Sequence, residues 1–447
     1  MSRGDTIAAV ASGAAPAGVG IVRVSGPAVP GLAARLLGRP PRPRHAHYLT
    51  LRDDAGEPID QGLLLFFPAP HSFTGEDVME LQVHGSPVVL NTLVHHLVGL
   101  GARHARPGEF SERAFLNNKL DLAQAEAVAD LITAGSELQA RAALRSLQGA
   151  FSRRVDDLVE AVTRLRIHVE AAIDFPEEEI DFLADPVIGE RLAAVTDQAR
   201  ALLGETRRGA RITRGLHAVI LGPPNAGKSS LLNALLGDER AIVTEQAGTT
   251  RDLLHERLRI DGVEIGLVDT AGLREDSEDA IEREGMRRAR QQRAQADLLL
   301  LVLPDGDGAA EALLREESAG AARRIWIHNK IDLSGGPAGR RDAADGELHV
   351  GLCARSGQGL DTLHRLLREL AGASTEGGAF SARERHVEAL AAALAHLEAA
   401  ADPSLAGAGE LMAEELRQAQ QRLGEITGAF DADALLGRIF SEFCIGK

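Results

Sequence analysis

The stretch from Gly222 to Ser229 constrains this chain more than any other. It reads Gly-Pro-Pro-Asn-Ala-Gly-Lys-Ser, which fits the phosphate-binding pattern G-x-x-x-x-G-K-S. The apolar run Ala218–Leu221 precedes it as a buried strand would, and residues 230–236 follow with helical apolar spacing. This context predicts a strand, a phosphate-binding loop (P-loop) and a helix whose first backbone N–H groups face an anion.

Each residue type in this loop has a predicted task. The glycines let the backbone wrap a phosphate without a Cβ clash. Lys228 is expected to reach the β- and γ-phosphates, and the Ser229 hydroxyl to ligate Mg²⁺. A chance glycine-rich turn is the alternative, but it does not explain the flanking strand and helix. The predicted nucleotide contacts in the loop are Asn225, Ala226, Gly227, Lys228, Ser229 and Ser230.

Two later motifs predict which nucleotide is bound. Ile265–Asp269 is a predicted strand that leads into Asp269, Thr270, Ala271 and Gly272, where the aspartate is expected to hold a Mg²⁺ water and the Gly272 N–H to sense the γ-phosphate. Two further predicted strands, Leu298–Leu303 and Ile325–Asn329, come next, and the second runs into Asn329, Lys330, Ile331 and Asp332.

The Asp332 carboxylate is the predicted selector of guanine. It can accept hydrogen bonds from the guanine N1–H and exocyclic amine, whereas adenine offers no such pair of donors. Because an unpaired buried carboxylate is costly, the motif favours GTP. A match to N-K-x-D alone is weak, but its position after the other two motifs makes GTP hydrolysis the predicted activity.

The polar loop between these motifs is a predicted first switch. Thr250 is the expected second Mg²⁺ hydroxyl, ordered only while the γ-phosphate is present. The predicted nucleotide contacts in this loop are Thr244, Glu245, Gln246, Ala247, Gly248, Thr249 and Thr250.

Leu273 occupies the place where signalling GTPases carry a water-orienting glutamine. Because leucine cannot hydrogen-bond, water and charge must come from elsewhere. Asn225 is a hard oxygen donor, and a monovalent cation held there could replace an arginine finger. Glu282 could orient the attacking water through a second water. The alternatives are a turn-favouring asparagine and a solvated helix face. The predicted catalytic residues are Asn225, Lys228 and Glu282.

Composition limits the remaining function classes. A chain of 447 residues predicts more than one domain, and 44% hydrophobic residues suffice for sizeable cores. A net charge of −16 argues against coating by nucleic acid, so RNA contact must use local patches. Each patch alone is more readily interpreted as a solvated helix face; the candidates are Arg207, Arg208, Arg211 and Arg214, and Arg287, Arg288, Arg290 and Arg293. The absence of a leader pattern or bilayer-length apolar run, with two distant cysteines, predicts a cytoplasmic protein without a membrane segment.

The chain is predicted to be multidomain, α/β plus α. We predict an α/β domain over residues 1–118, helices over 119–212, a Ras-like P-loop domain over 213–375 and further helices over 376–447. Neither helical set looks self-sufficient, so we expect them to pack together as one discontinuous domain with the P-loop domain inserted. A helical seam predicted before the insertion comprises Leu144, Leu147, Phe151, Val155, Leu158, Val162, Leu165 and Val169.

Five segments outside the nucleotide motifs carry a family resemblance. They are Asp5–Ala8, Phe73–Glu80, Arg106–Lys119, Asp174–Glu177 and Phe443-Cys-Ile-Gly-Lys447. With the motifs above, they make the chain similar from end to end to the MnmE (TrmE) family of tRNA modification GTPases.

The resemblance implies an N-terminal domain that dimerises and binds a tetrahydrofolate one-carbon donor, in the 5-formyl or methylene form. Arg23, Glu80, Lys119 and Lys447 match the positions that would line this pocket. Arginine and lysine suit the anionic glutamate end of folate, and a carboxylate suits the pterin amine.

The resemblance also implies a reaction and partners. Together with the FAD-dependent subunit MnmG, in an expected heterotetramer, a homodimer would add an aminomethyl or carboxymethylaminomethyl group to carbon 5 of the wobble uridine of certain tRNAs. Potassium-dependent dimerisation of the GTPase domains would activate hydrolysis. The residues matched to ligands are Asn225, Thr244, Gln246 and Thr249 for K⁺, and Ser229 and Thr250 for Mg²⁺. Glu282 falls at the family's water-orienting glutamate.

One departure concerns the base-contacting loop, which reads Cys353-Ala354-Arg355 where many members carry serine first. Backbone contacts to guanine would survive that change. Cys444 is implied to lie beside the folate pocket, although the sequence shows no base that would lower its pKa. Two other functions stay open: a ribosome-assembly or regulatory GTPase acting as a switchable binding module, and a folate-binding protein whose GTPase gates access.

Overall fold

The computed structural model describes residues 4–13, 16–174, 186–215, 218–236, 241–243, 257–260, 263–266, 296–318, 323–342, 346–370, 379–402, 408–429, 439–440, 443 and 446. Several predicted site residues therefore lie outside the described residues. These are Thr244 to Thr250, Asp269 to Gly272, Leu273, Glu282, Arg287 to Arg293, Cys444 and Lys447.

The strands are β1 Ile7–Val10, β2 Ala17–Ser25, β3 His47–Arg52, β4 Pro58–Phe67, β5 Val78–Gly85, β6 Arg103–His104, β7 Ala218–Leu221, β8 Ala241–Val243, β9 Arg257–Ile260, β10 Val263–Gly266, β11 Leu298–Pro304, β12 Arg324–Asn329, β13 Gly339–Arg341 and β14 Leu348–Gly351. The helices are α1 Val29–Leu37, α2 Pro87–Gly99, α3 Glu109–Leu116, α4 Leu122–Thr133, α5 Glu137–Leu147, α6 Ala150–Asp174, α7 Pro186–Arg214, α8 Lys228–Leu236, α9 Gly308–Glu317, α10 Ile331–Ser334, α11 Leu360–Leu370, α12 Glu384–Ala400 and α13 Gly409–Thr427. Within the part of the chain that the structure describes, no helix combines the length and the hydropathy that a bilayer crossing requires.

The chain divides into two compact units. The first contains residues 1–129, 147–195 and 392–447, and the second contains residues 130–146 and 196–391. Both units are discontinuous in sequence. The domain boundaries predicted above stay a prediction.

The first unit contains a six-stranded sheet in the order β3-β4-β5-β2-β1-β6. Side chains of a strand alternate between its faces, so Val22 and Val24 of β2 enter the core under helices α1 and α2. Arg23, between them, points to the opposite face, where Ile7, Ala9 and Phe110 form a smaller apolar cluster. This alternation places the charged Arg23 side chain on the sheet face that carries only the smaller apolar cluster.

Helix α3 was not predicted from the sequence. Glu109–Leu116 is helical within the charged stretch from Arg106 to Lys119. Phe110 and Ala114, one turn apart, are fully buried and anchor it. Its many charged residues make this short apolar stripe hard to recognise.

The predicted helical seam is correct in one part and wrong in another. Phe151, Val155, Leu158, Val162, Leu165 and Val169 of α6 are at most 1% exposed. Helix α13 packs against α6 in the same unit. Leu144, by contrast, is 43% exposed. Gly149, at φ 79°, ends the continuity between α5 and α6, so the two helices do not share one stripe.

The second unit contains a five-stranded sheet in the order β13-β14-β12-β11-β7. Strands β14, β12, β11 and β7 run parallel, and β13 is antiparallel to β14. Residues Leu298–Leu303 of β11 are all buried, as a central parallel strand covered on both faces requires. Parallel strands end at one edge, so the loops after β7, β11, β12 and β14 meet there.

The first unit contains a network of ion pairs centred on Glu109 and Arg113. The Glu109 side chain is 3% exposed; its Oε2 accepts from Nη1 of Arg103 at 2.8 Å and from the backbone N–H of Arg106 at 2.7 Å. Arg113 bonds Asp5 at 2.8 Å and Glu76 at 3.0 Å. Burial alone would raise the pKa of Glu109, but the hydrogen bonds and charges of Arg103 and Arg106 outweigh it and lower the pKa to about 2.

We expect Glu109→Gln to weaken this region at neutral pH. Because the folded-state pKa is lowered, the carboxylate contributes its full stabilisation above its ordinary pKa and loses it as the pH falls towards 2. Hydrogen exchange of the α3 amides at pH 7 should show a local opening free energy lower by about 3 kcal/mol, with a smaller difference below about pH 4.5.

The exposed Glu57→Gln is the matched control, since it removes the same charge from the same unit. Equal protection of α3 in wild type and Glu109→Gln at pH 7 would show that the network is not stabilising.

Candidate functional site

The described nucleotide motifs converge at the carboxyl edge of the parallel sheet. Strand β7 ends at Leu221, and α8 begins at Lys228. The backbone turns between them with Asn225 at φ 62° and Gly227 at φ 95°. Ser229 and Ser230 are exposed at the start of α8. The loop therefore leaves the first N–H groups of a nine-residue helix accessible to an anion.

Two glycines of the loop are required by close contacts. A Cβ on Gly222 would lie 2.1 Å from the carbonyl oxygen of Val302 in β11. A Cβ on Gly227 would lie 2.3 Å from Nδ2 of Asn329. The missing Cβ of Gly222 lets the loop lie against the central strand, and the missing Cβ of Gly227 lets it lie against the predicted guanine motif.

The Lys228 ammonium lies inside the loop. It donates to the carbonyl oxygens of Gly222 at 2.9 Å and Pro223 at 3.2 Å, and the residue is 8% exposed. These neutral acceptors leave its positive charge uncompensated within the part of the loop described. A phosphate in the loop would supply the opposite charge.

Asn329 joins the phosphate loop to the base loop. Its Nδ2 donates to the carbonyl of Ala226 at 2.9 Å, and its Oδ1 accepts from the N–H of Ala354 at 3.0 Å. Lys330, with φ 63°, donates from Nζ to the carbonyl of Asn225 at 2.7 Å. The residues predicted separately as phosphate and base contacts are thus hydrogen-bonded to one another.

Asp332 is exposed at the start of the short helix α10, and no described residue forms an ion pair with it. Its carboxylate is therefore accessible for the guanine donors. Cys353 and Ala354 are buried and Arg355 is exposed. The N–H of Cys353 donates to the carbonyl of Gln358 at 2.9 Å, which closes the loop after β14. A thiol in place of a hydroxyl leaves this backbone arrangement available.

A layer of polar side chains behind the base motif was not predicted. Nε2 of His328 lies 2.9 Å from Nδ1 of His349 on the neighbouring strand. Burial lowers the pKa of His328, and the charge of Arg341 lowers it further. Asp305 bonds Arg341 at 2.6 Å, and its backbone N–H donates to the carbonyl of Asn329 at 2.8 Å. The signal in the sequence was a histidine within an otherwise apolar strand.

The described residues include one suitable oxygen ligand for each of the two predicted cations. The Asn225 side chain is exposed beside the loop, and its amide oxygen is a hard donor of the kind K⁺ takes. The Ser229 hydroxyl is exposed at the helix start, and an oxygen of this kind is a ligand that Mg²⁺ prefers. The other predicted ligands lie outside the described residues.

A second candidate site lies on the N-terminal sheet. Arg23 of β2 and Glu80 of β5 are direct partners in the strand register. Nε and Nη2 of Arg23 both lie 2.9 Å from Oε1 of Glu80, while Oε2 has no hydrogen bond within the described residues. The guanidinium carbon is 5.2 Å from the centre of the Phe73 ring and 5.8 Å from that of Phe110. This geometry combines a carboxylate acceptor, a cation and two aromatic faces.

The remaining predicted residues of this site are partly described. Lys119 donates from Nζ to the carbonyl of Pro70 at 3.2 Å. Gly446, with φ 97°, packs so closely on β1 that a Cβ would lie 1.9 Å from the carbonyl of Val10. The penultimate residue is therefore beside the strand next to Arg23. Lys447 lies outside the described residues.

Comparison with known proteins extends over the whole chain. The family model described as the GTP-binding protein TrmE N-terminus matches residues 6–119, and the model described as the MnmE helical domain matches residues 122–444. The tRNA modification GTPase MnmE of Stutzerimonas stutzeri is 57% identical, over 99% of each chain. The protein of the same description from Xanthomonas campestris pv. campestris is 56% identical, over 99% of each chain. The G domain of the T. maritima FeoB iron transporter is 25% identical, over 35% of this chain and 98% of its own, with a TM-score of 0.26.

Proposed function

Because this chain belongs to the MnmE family of tRNA modification GTPases, we propose that it hydrolyses GTP to drive modification of carbon 5 of the wobble uridine in certain tRNAs. The observation that most strongly supports the GTP-hydrolysing activity is that Asn329 forms one hydrogen bond to the phosphate loop and one to the base loop. Those two bonds join the described phosphate and base motifs, as a single guanine nucleotide site requires. We propose that the group added to the uridine is aminomethyl or carboxymethylaminomethyl. We also propose that the protein is cytoplasmic, since its tRNA substrate is found there.

Binding and charge compensation are the tasks of the described residues. Lys228 exchanges its two carbonyl acceptors for the β- and γ-phosphates, and the N–H groups at the start of α8 bind the same anion. Asp332 accepts from the guanine N1–H and exocyclic amine. Ser229 and Thr250 would hold Mg²⁺ and Asp269 would hold one of its waters; the ion would neutralise charge on the phosphates.

Hydrolysis needs a substitute for the glutamine that Leu273 replaces. We propose that Asn225, with Thr244, Gln246 and Thr249, holds K⁺, which supplies positive charge near the γ-phosphate when bound. Glu282 is proposed to orient the attacking water through a second water. Dimerisation of the P-loop domains, inserted between helices 119–212 and 376–447, would complete each site.

We further propose that the N-terminal domain binds a tetrahydrofolate one-carbon donor. Oε2 of Glu80 is open to a pterin amine with Arg23 held beside it, and Lys119 and Lys447 suit the anionic glutamate end. The partners proposed are a second copy of the chain, the FAD-dependent subunit MnmG and tRNA.

The cation proposal predicts a strong preference for K⁺ over Na⁺. Loss of one preorganised positive group at the γ-phosphate costs about a hundredfold in rate, so GTP turnover by the full chain should fall by that order when NaCl replaces KCl. The matched comparison is Asn225→Ala, in which the two salts should give similar low rates. Equal turnover in both salts by wild type would refute the cation site.

The folate proposal predicts binding of 5-formyltetrahydrofolate by the full chain in equilibrium dialysis. Arg23→Ala, or deletion of residues 443–447, should weaken this binding about tenfold or more, because a charge-assisted hydrogen bond is lost. Arg35→Ala on α1 is the control, since it removes an arginine of the same unit that lies away from the site. Absence of folate binding by wild type would favour an assembly or regulatory GTPase instead.

A further inference from the structure

The C-terminal end of α7 carries four arginines close together. They are Arg207, Arg208, Arg211 and Arg214, here called the arginine ridge. With about 3.6 residues per turn and about 1.5 Å rise per residue, the four fall within a third of the helix circumference and span about 10 Å. Side chains so placed can reach neighbouring phosphates of one nucleic-acid backbone.

Two residues of α7 outside the arginine ridge hold the helix in place. Gly209 packs so closely that a Cβ would lie 2.5 Å from the carbonyl of Phe380. The carbonyl of Ile212 accepts from Nε2 of Gln139 at 2.9 Å. Because these contacts fix the rotation of the helix, the arginine ridge faces outward as a defined surface.

The charges of the arginine ridge are largely unpaired. Arg207, Arg208 and Arg211 form no ion pair with any described residue, and Arg214 pairs with Asp297. Four exposed arginines on other helices are each paired with a glutamate about one turn away: Arg141 with Glu137, Arg164 with Glu160, Arg417 with Glu414 and Arg422 with Glu425. In a chain of net charge −16, an unpaired basic stripe marks a surface for an anionic partner.

An RNA backbone fits this surface better than a protein does. Stable protein interfaces have an apolar centre, yet none of the exposed large apolar side chains of the described residues lies between positions 200 and 215. Guanidinium groups bind phosphate oxygens in bidentate geometry. We propose that the arginine ridge binds the phosphate backbone of tRNA, an inference that rests on the proposed function and names where its substrate is held.

The test compares two full-length variants of equal net charge. The ridge variant carries Arg207→Gln, Arg208→Gln and Arg211→Gln; Arg214 is kept because it also bonds Asp297. The control variant carries Arg164→Gln, Arg417→Gln and Arg422→Gln. The probe is 3′-fluorescein-labelled total tRNA from cells that lack this gene, titrated by fluorescence anisotropy over a series of KCl concentrations.

Removal of three phosphate contacts should lower the slope of log K against log salt by about 2 to 3 and weaken binding at low salt about tenfold or more. The control variant should bind as wild type does. If the triple variant does not fold, Arg208→Gln and Arg211→Gln singly should each lower the slope by about 0.7 to 0.9.

Other outcomes overturn the proposal in distinguishable ways. Wild-type binding by the ridge variant, or equal weakening in both variants, would refute the ridge while leaving tRNA as the substrate. Retained tRNA binding with lost MnmG binding would assign the ridge to a protein partner instead. Failure of the wild-type chain itself to bind tRNA would refute both the ridge and the proposed substrate.

Discussion

Asp332→Asn is expected to change the base preference of the protein from guanine to xanthine. An asparagine amide offers one donor and one acceptor where the carboxylate offers two acceptors. It therefore loses the bond to the guanine exocyclic amine, and instead donates to the xanthine 2-oxygen while accepting from the N1–H. GTP affinity should fall about a hundredfold or more, and XTP affinity should rise by a similar factor.

The measurement is competition of GTP, XTP and ATP against a fluorescent guanine nucleotide on the full chain. Asp342→Asn removes the same charge from an exposed position of the same unit and is expected to keep the wild-type order. If Asp332→Asn retains wild-type GTP affinity, the carboxylate does not read the base. A gain in ATP rather than XTP would also contradict the assigned bonds.

Lys228→Ala should abolish hydrolysis while leaving the fold intact. The ammonium is 8% exposed and donates to two loop carbonyls, so its loss removes the positive charge enclosed by the loop. Removal of one donor at developing charge costs about 10²–10³ in rate, and we expect at least that loss together with weakened GTP binding.

Single-turnover hydrolysis and thermal unfolding would be measured together. Arg340→Ala, which removes an exposed positive charge from β13, serves as the control. Loss of hydrolysis with an unchanged unfolding temperature is the expected result for Lys228→Ala. If Lys228→Ala hydrolyses GTP at a rate close to that of wild type, the phosphates do not bind beside Lys228.

The parts of the fold that could be predicted from sequence are those with short-range signals. The fold class is confirmed, and the apolar runs that form β7, β11 and β12 could be found because buried parallel strands read as continuous apolar segments. The placement of Leu144 in the seam is wrong because a single glycine at positive φ separates two helices whose apolar spacing reads as one.

The candidate site was harder to predict where it depends on distance. The sequence motifs located Asn329 and the P-loop. They did not show the hydrogen bond from Asn329 to Ala226, which lies 103 positions away in the sequence. That bond follows from strand order, since β7 and β12 flank β11. That Arg207, Arg208 and Arg211 form no ion pair with a described residue also needed the structure, because a sequence does not show which arginines pair with a carboxylate.

Mass spectrometry of wobble uridine in tRNA from cells that lack this gene tests the proposed function most directly. Two complemented strains would carry either the wild-type gene or Lys228→Ala on a plasmid. We predict that carbon-5 aminomethyl-type uridine disappears in the deletion, returns with the wild-type gene and does not return with Lys228→Ala. A normal level of the modified uridine in the deletion strain would contradict the proposed function.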